Sequence, residues 1–301
     1  MISLIICARS KDIGQELKNN IQETIGVEYE LVIIDNHNNQ YNIFSAYNKG
    51  VAQSKYPLLC FMHDDIKYLS QNWGQQLVSH FANPNVGAVG IAGAAYYPLL
   101  PGPWWSSGLI AKNIGSHSVQ NNSNSQVAPW YYSYSAVPQK SLPVVVLDGV
   151  WFTIRKQLFD TISFDDKTFS GFHSYDIDIC LQIHTAGYDI LSVYDILIFH
   201  ASSGNMNLNW VENCILLHKK WQKQLPASVL NLNYEQEVRA EYAAYEEFYQ
   251  TLKKNGISGI RSFKITVNYI LKYRIKRFNI TFPFVLAKYT LRYFTKKLGL
   301  R

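Results

Sequence analysis

A chain of 301 residues, 48% apolar and only 17% charged, is long enough to bury one large core and too apolar to be disordered. Its net charge of +6 is uneven, because residues 257–301 carry eleven Lys or Arg and no acid, against 17 basic and 22 acidic residues before them. Nucleic-acid binding is not expected, since that basic tail is interleaved with Ile, Leu, Phe and Tyr in the manner of a membrane-surface patch.

The N-terminus MISLIICARS has neither the basic start nor the cleavage site of a secretory leader, and no uncharged apolar run reaches spanning length. Cys7, Cys60, Cys180 and Cys214 form no CxxC pair. The expectation is free thiols in a reducing, cytoplasmic setting, with the tail at the inner face of the cell membrane or packed on the acidic remainder.

In chain order, residues 2–7 (ISLIIC) have the length and branching of a buried strand. Residues 12–25 follow as a helix, with Ile13, Leu17, Ile21 and Ile25 four apart. Residues 31–34 form a second strand closed by Asp35-Asn36, 43–54 a helix, and 56–62 a third strand closed by His63-Asp64-Asp65. Short apolar strands separated by helices predict an α/β, mostly parallel sheet with helices on both faces. In such sheets the polar strand ends meet at one ligand-binding edge. Arg9, Asp35 and the His63-Asp64-Asp65 run are therefore expected along one crevice.

Residues 86–92 read as another strand. The stretch 96–143 is aromatic and rich in Gly, Pro and Asn, and predicts a long loop or insertion. A strand over 144–147 leads into Asp148-Gly149, a strand over 151–154 into a helix near 155–159. A helix over 176–186 ends at Gly187, and strands at 190–193 and 196–199 end on His200. Helices over 210–225 and 235–254 form an extension. The organisation predicted is a catalytic domain over 1–205, a helical extension over 206–256 and an amphipathic basic tail over 257–301.

Four blocks, SLIICARS, LVIIDN, AYNKGVAQSKYPLLCFMHDDI and GFHSYDIDICLQIHTAGYDI followed by IFHASSG, stand in an order that resembles the family 2 type of GT-A glycosyltransferase, and within it the streptomycin-biosynthesis-like branch. The resemblance covers residues 1–205. It implies transfer of a sugar from a nucleotide-sugar donor, a UDP-sugar by preference, to a glycan or lipid-linked acceptor, with inversion, as in surface polysaccharide assembly. It also implies a divalent cation, Mn²⁺ or Mg²⁺, to bridge the donor diphosphate to hard oxygen ligands.

The resemblance assigns roles residue by residue. Asp65 would hold the metal and Asp64 the metal or the ribose, with His63 where the family has its first Asp; His200 would complete the coordination. Asp35 stands where the family contacts the base, Arg9 where it meets pyrophosphate or base, and Asn48 with Gly50 where it has Arg-Asn-x-Gly, Tyr47 replacing the Arg. Asp176 aligns with the catalytic base, in Tyr175-Asp176-Ile177-Asp178 against the family's Glu-Asp-x-Asp. Asp148 would bond sugar hydroxyls and Gly149 would admit the sugar closely.

Ordinary readings stand beside these. Asp35-Asn36 is common turn chemistry, Asn48 a helix-surface residue, and Asp178 a helix-dipole partner. The rings of Trp104, Trp105, Trp130, Tyr131, Tyr132 and Tyr134 suit an acceptor lid, or a core. Two other functions compete: a nucleotidyltransferase, against which ARSKDIG offers only one Gly for a triphosphate loop, and a binding module that has lost catalysis.

Overall fold

The computed structural model describes residues 1–107, 119–120, 140–202, 205–257, 259–262 and 264–265. Trp130, Tyr131, Tyr132 and Tyr134 of the expected lid, and most of the basic tail, lie outside these residues.

The first three strands follow the period-two rule. β1 (Ile2–Ala8) pairs in parallel with β2 (Tyr29–Asp35) on one side and β3 (Leu58–Met62) on the other. Ile2, Leu4, Ile6, Leu58, Cys60 and Met62 enter one core with Leu17 and Ile21 of α1 (Gln15–Thr24). Ile5, Leu59 and Phe61 enter the opposite core with Phe44 and Tyr47 of α2 (Ile43–Gln53). Alternation thus divides each strand between two apolar layers, one per sheet face. Asn42 starts α2 by accepting the Ser45 amide on its side chain.

After β3 come β4 (Ile66–Tyr68), α3 (Trp73–His80) and β5 (Val86–Gly90), then the short strands β6 (Gly93–Ala94), β7 (Tyr96–Tyr97) and β8 (Val119–Gln120). β9 (Ser141–Val144), β10 (Val146–Leu147) and β11 (Trp151–Arg155) lead through a 3₁₀ turn at Lys156–Asp160 to α4 (Tyr175–Thr185). β12 (Asp189–Val193), β13 (Ile198–His200), α5 (Leu208–Lys220), β14 (Ala227–Ser228) and α6 (Tyr234–Lys254) complete the described chain.

The main sheet has seven strands in the order β2-β1-β3-β11-β5-β12-β9. β11 runs antiparallel to both neighbours, β3 and β5, with Trp151 opposite Met62. The residues just before β11 therefore lie beside those just after β3, and the His63 amide donates to the Val150 carbonyl at 3.0 Å. This reversal brings Asp148-Gly149 to the edge where β1, β2 and β3 end.

The expected strand over 144–147 divides in two. Val144 ends β9 at the sheet edge, where Pro143 needs no donor on its open side, while β10 leaves the main sheet to pair with β6. A further small sheet, β4-β13-β8, sets His200 opposite Ile66 and so next to Asp65. β14 pairs with β7, and Glu241 of α6 is buried against that strand. Its Oε1 accepts from the Tyr96 hydroxyl at 2.6 Å and the Leu99 amide at 2.9 Å.

Candidate active site

Three parallel strands deliver three polar ends to one edge. Ala8 lies opposite Asp35 in the β1–β2 ladder, and β3 runs out into His63-Asp64-Asp65 beside them. Asp35 stays solvent-accessible, with its carboxylate held by the His37 amide at 3.1 Å and the His37 ring at 2.6 Å. These hydrogen bonds from His37 keep its carboxyl below the usual range.

Alternation carried past the end of β3 separates the two aspartates. Asp64 turns toward β1, where the Arg9 guanidinium donates to its Oδ1 at 2.8 Å. Asp65 brings Oδ1 to His63 and His200, while its Oδ2 lies 3.5 Å from the same Arg9 nitrogen. His200 Nε2 lies 3.3 Å from Asp65 Oδ1, His63 Nδ1 lies 3.8 Å from the same oxygen, and the two ring nitrogens are 3.4 Å apart. These three residues form the candidate metal cluster among the described residues. Asp65 Oδ1 is buried, and its near neighbour His200 Nε2 makes no well-formed hydrogen bond to it, which fits an oxygen shaped for a cation. Asp64, expected in the ligand set, faces Arg9 instead, and His63 takes its place. Burial first, and then His200, hold the His63 imidazole below its ordinary value, in its neutral, ligating form.

On the other side of His63 lies a cavity of about 360 Å³. Asp148, Gly149 and Asp176 line its polar part, and Trp104, Trp105, Phe172 and Trp210 its aromatic part. Asp176, in the first turn of α4, is partly buried: Gly149 N donates to Oδ2 and Ile177 N to Oδ1, both at 2.9 Å. Burial, and then the neighbouring Asp148 charge, push its carboxyl up to about 7 despite those two amides. Asp148 accepts the Trp104 indole N–H at 2.7 Å and the Val150 amide at 2.9 Å.

Other expected residues do different work. Asn48 is fully used by one backbone unit, donating to Phe164 O at 2.8 Å and accepting from Phe164 N at 3.1 Å, so it clamps α2 to the loop before α4 rather than facing a donor. The close approach at Gly149 is to Tyr175, whose hydroxyl oxygen would stand 2.2 Å from an added Cβ. Gly50 likewise makes room for Ile5. Asp178 points away from the cavity, bonded to Trp221 Nε1 at 2.7 Å, to Lys220 and to Gln182; burial outweighs these partners and raises its carboxyl.

Sequence reasoning missed His63 as part of the cluster, and Phe172 and Trp210 in the cavity. The spacing of His63 and Asp65, two residues apart at a strand end, was the available signal. Phe172 and Trp210 carried none, because the loop of Phe172 and the helix of Trp210 reach the cavity only through tertiary packing.

A family model described as a glycosyltransferase-like family matches residues 3–223, from β1 to just beyond α5. The chain belongs to this glycosyltransferase family. Its GT-A fold, expected from the sequence, is the one found in residues 1–349 of S. aureus TarS, with a TM-score of 0.53 and 11% identity over 92% of this chain and 81% of that one. The TarS complex with UDP-GlcNAc gives 0.50 and 12% over 89% and 81%. Uncharacterized protein y4gI of Sinorhizobium fredii is 24% identical over 149 residues; these make up 50% of this glycosyltransferase-family chain, which spans only 16% of that relative.

Proposed function

We propose that this glycosyltransferase moves a sugar from a nucleoside diphosphate donor to a saccharide hydroxyl, with inversion at the anomeric carbon. The observation that carries the reading is Asp176, a carboxylate in the polar part of an aromatic-walled cavity, raised to about 7 by burial and by Asp148. A base is most effective when its pKa lies near the working pH. Asp176 takes the acceptor proton as the acceptor oxygen attacks C1, and the nucleoside diphosphate leaves with the electron pair of the broken C1–O bond. Backbone amides on both oxygens fix the carboxylate so that no reorientation is needed at that moment.

Arg9, exposed at the end of β1, is placed to trade its contact with Asp64 for a donor phosphate. Asp65, His200 and His63 would hold a divalent cation, which when bound neutralises charge on the leaving diphosphate. Asp35 reads as the base contact, and the TarS complexes with UDP and UDP-GlcNAc make UDP the first nucleotide to try. Assignment to the streptomycin-biosynthesis-like branch rests on the sequence blocks alone.

The aromatic wall favours a pyranoside acceptor. Trp105 and Phe172 remain 43% and 48% exposed beside the carboxylates, and apolar ring faces complement the C–H faces of a sugar. The basic tail extends this reading to an acceptor on a lipid at the inner membrane surface, in surface polysaccharide assembly. Calorimetry with UDP, GDP and dTDP, with and without Mn²⁺, tests the donor half. UDP binding that is tightest of the three and lost with EDTA supports it; no binding of any nucleoside diphosphate overturns it.

A further inference from the structure

Tyr175 stands where the family pattern has Glu, and its surroundings explain what a phenol does there. Its hydroxyl donates to Gly149 O at 3.0 Å, which uses its one proton. The same oxygen lies 3.2 Å from His63 Nε2. With its proton spent on a carbonyl, the Tyr175 oxygen can only accept from His63. His63 therefore carries its proton on Nε2, and Nδ1 presents a lone pair toward Asp65 and His200. The buried Tyr175 hydroxyl thus donates to one partner and accepts from the other.

The three facing atoms, Nδ1 of His63, Nε2 of His200 and Oδ1 of Asp65, form a triangle with sides of 3.3, 3.4 and 3.8 Å. Such a triangle admits a point roughly 2.0 Å from every corner, close to the bond lengths of zinc to imidazole nitrogen and carboxylate oxygen, and a larger ion sits just off its plane. Two of its three donors are nitrogen. Mg²⁺ holds to oxygen ligands and sheds water reluctantly, whereas Mn²⁺, Fe²⁺ and Co²⁺ accept imidazole.

We propose that this glycosyltransferase binds its cation through a two-histidine, one-carboxylate set, His63, Asp65 and His200, that takes first-row transition ions and rejects Mg²⁺. Tyr175 is the positioning residue that fixes the His63 tautomer. The inference rests on the metal-assisted transferase reading above and narrows the ion and the ligands. It also leaves Asp64 out of the ligand set, since of the two aspartates only Asp65 brings an oxygen to the cluster with His63 and His200.

Equilibrium binding of Mn²⁺ and Co²⁺ to the full chain tests this, by Mn²⁺ paramagnetic resonance and Co²⁺ visible absorption, in the absence and presence of UDP. Wild type is expected to bind both, with a Co²⁺ spectrum that a large excess of Mg²⁺ does not displace. His63→Ala loses the site. Tyr175→Phe weakens Mn²⁺ about 10- to 100-fold, the usual cost of removing the partner that orients a ligating histidine. Tyr47→Phe, which keeps the His63–Tyr175 bond, and Asp64→Asn both retain wild-type Mn²⁺ affinity without UDP. Melting curves of the same proteins separate loss of the site from loss of the fold, and Tyr47→Phe controls for hydroxyl removal in the same core.

Displacement by Mg²⁺, wild-type affinity in Tyr175→Phe, or loss of Mn²⁺ in Asp64→Asn overturns the proposal while leaving the transferase reading intact. Metal binding as described, with no nucleoside diphosphate bound in its presence, overturns the transferase reading and leaves the ligand set standing. A wild-type protein that binds neither ion under either condition overturns the ligand set.

Discussion

The amide of Gly149 donates to Asp176 Oδ2 at 2.9 Å, so the candidate base is held by the residue that follows the other carboxylate of the cavity, Asp148. Two acids share one enclosed space, and only one of them has indole and amide donors on separate oxygens from outside the helix. That inequality fits the proposed roles, with Asp148 the anchored neighbour and Asp176 the base.

Asp176→Asn is expected to lower the transfer rate by roughly 10²–10⁴-fold, the range for removing a general base. Nucleoside diphosphate affinity should hardly change, because the carboxylate faces the acceptor cavity. In the wild type, kcat/KM should rise as pH passes upward through about 7, as Asp176 ionises. Steady-state kinetics over a pH series check both, and a mutant with near wild-type turnover would sink the assignment.

The same carboxyl should leave a mark on stability. Its folded value, about 7, lies above the ordinary carboxyl value of the unfolded chain, so the native state holds the proton more tightly. Below about pH 4 both states are protonated and nothing is lost. Between there and about 7 the unfolded chain ionises first and stability falls, by on the order of 4 kcal/mol once both are ionised. Asp176→Asn should therefore lose less stability than the wild type over this interval in urea titrations. Parallel profiles for the two proteins would mean the group is not perturbed.

Gly149→Ala should disturb the site from within. An added methyl collides with the Tyr175 hydroxyl, and overpacking of this kind costs about 1–3 kcal/mol. Displacing Tyr175 releases His63, so Mn²⁺ affinity should fall along with the denaturation midpoint. Unchanged affinity would show that the hydroxyl has room to move.

The helical extension should be inseparable from the catalytic unit. Glu241→Ala leaves the Tyr96 hydroxyl and Leu99 amide without their buried acceptor, at a cost of about 2–4 kcal/mol, and Glu241→Gln, which keeps an acceptor, should cost less. Truncation after Pro226 is expected to give insoluble protein. A soluble, folded truncation would show that α6 is dispensable.

For the tail, co-sedimentation with vesicles separates its two readings. Each Lys or Arg close to an anionic leaflet contributes about 1 kcal/mol. Binding to anionic but not neutral vesicles, weakened by salt and lost on truncation at Gly256, is the expected result. Indifference to anionic vesicles, with unfolding on truncation, would make the tail structural.

The sheet was legible because β1, β2 and β3 are continuous apolar runs bounded by polar ends, and the edge on which Arg9, Asp35 and His63-Asp64-Asp65 meet follows from their parallel order. The division of 144–147 was not legible, because four valines and leucines look alike whichever sheet they join. Only tertiary pairing sends Val144 to β12 and Val146 to β6. Asn48 and Gly149 were given ligand roles by resemblance, while their neighbours here, Phe164 and Tyr175, are remote in sequence and invisible to a local pattern.

The contact between Tyr47 and Tyr175, whose rings meet edge to face at 5.5 Å, constrains how this chain can change. The pattern that this chain resembles has an Arg at the first position and a Glu at the second, so this chain lacks a charge at both places. Here both partners are uncharged phenols in a closed core. Restoring Glu at 175 alone would bury an unpaired acid next to Asp176, and restoring Arg at 47 alone would bury an unpaired cation, each severely destabilising. Exchange between the two chemistries therefore passes through a double substitution: either single change should be unfit, the two together tolerated, and the coupling between them large in a mutant cycle. Positions 47 and 175 are in this sense one energetic unit, written in two places.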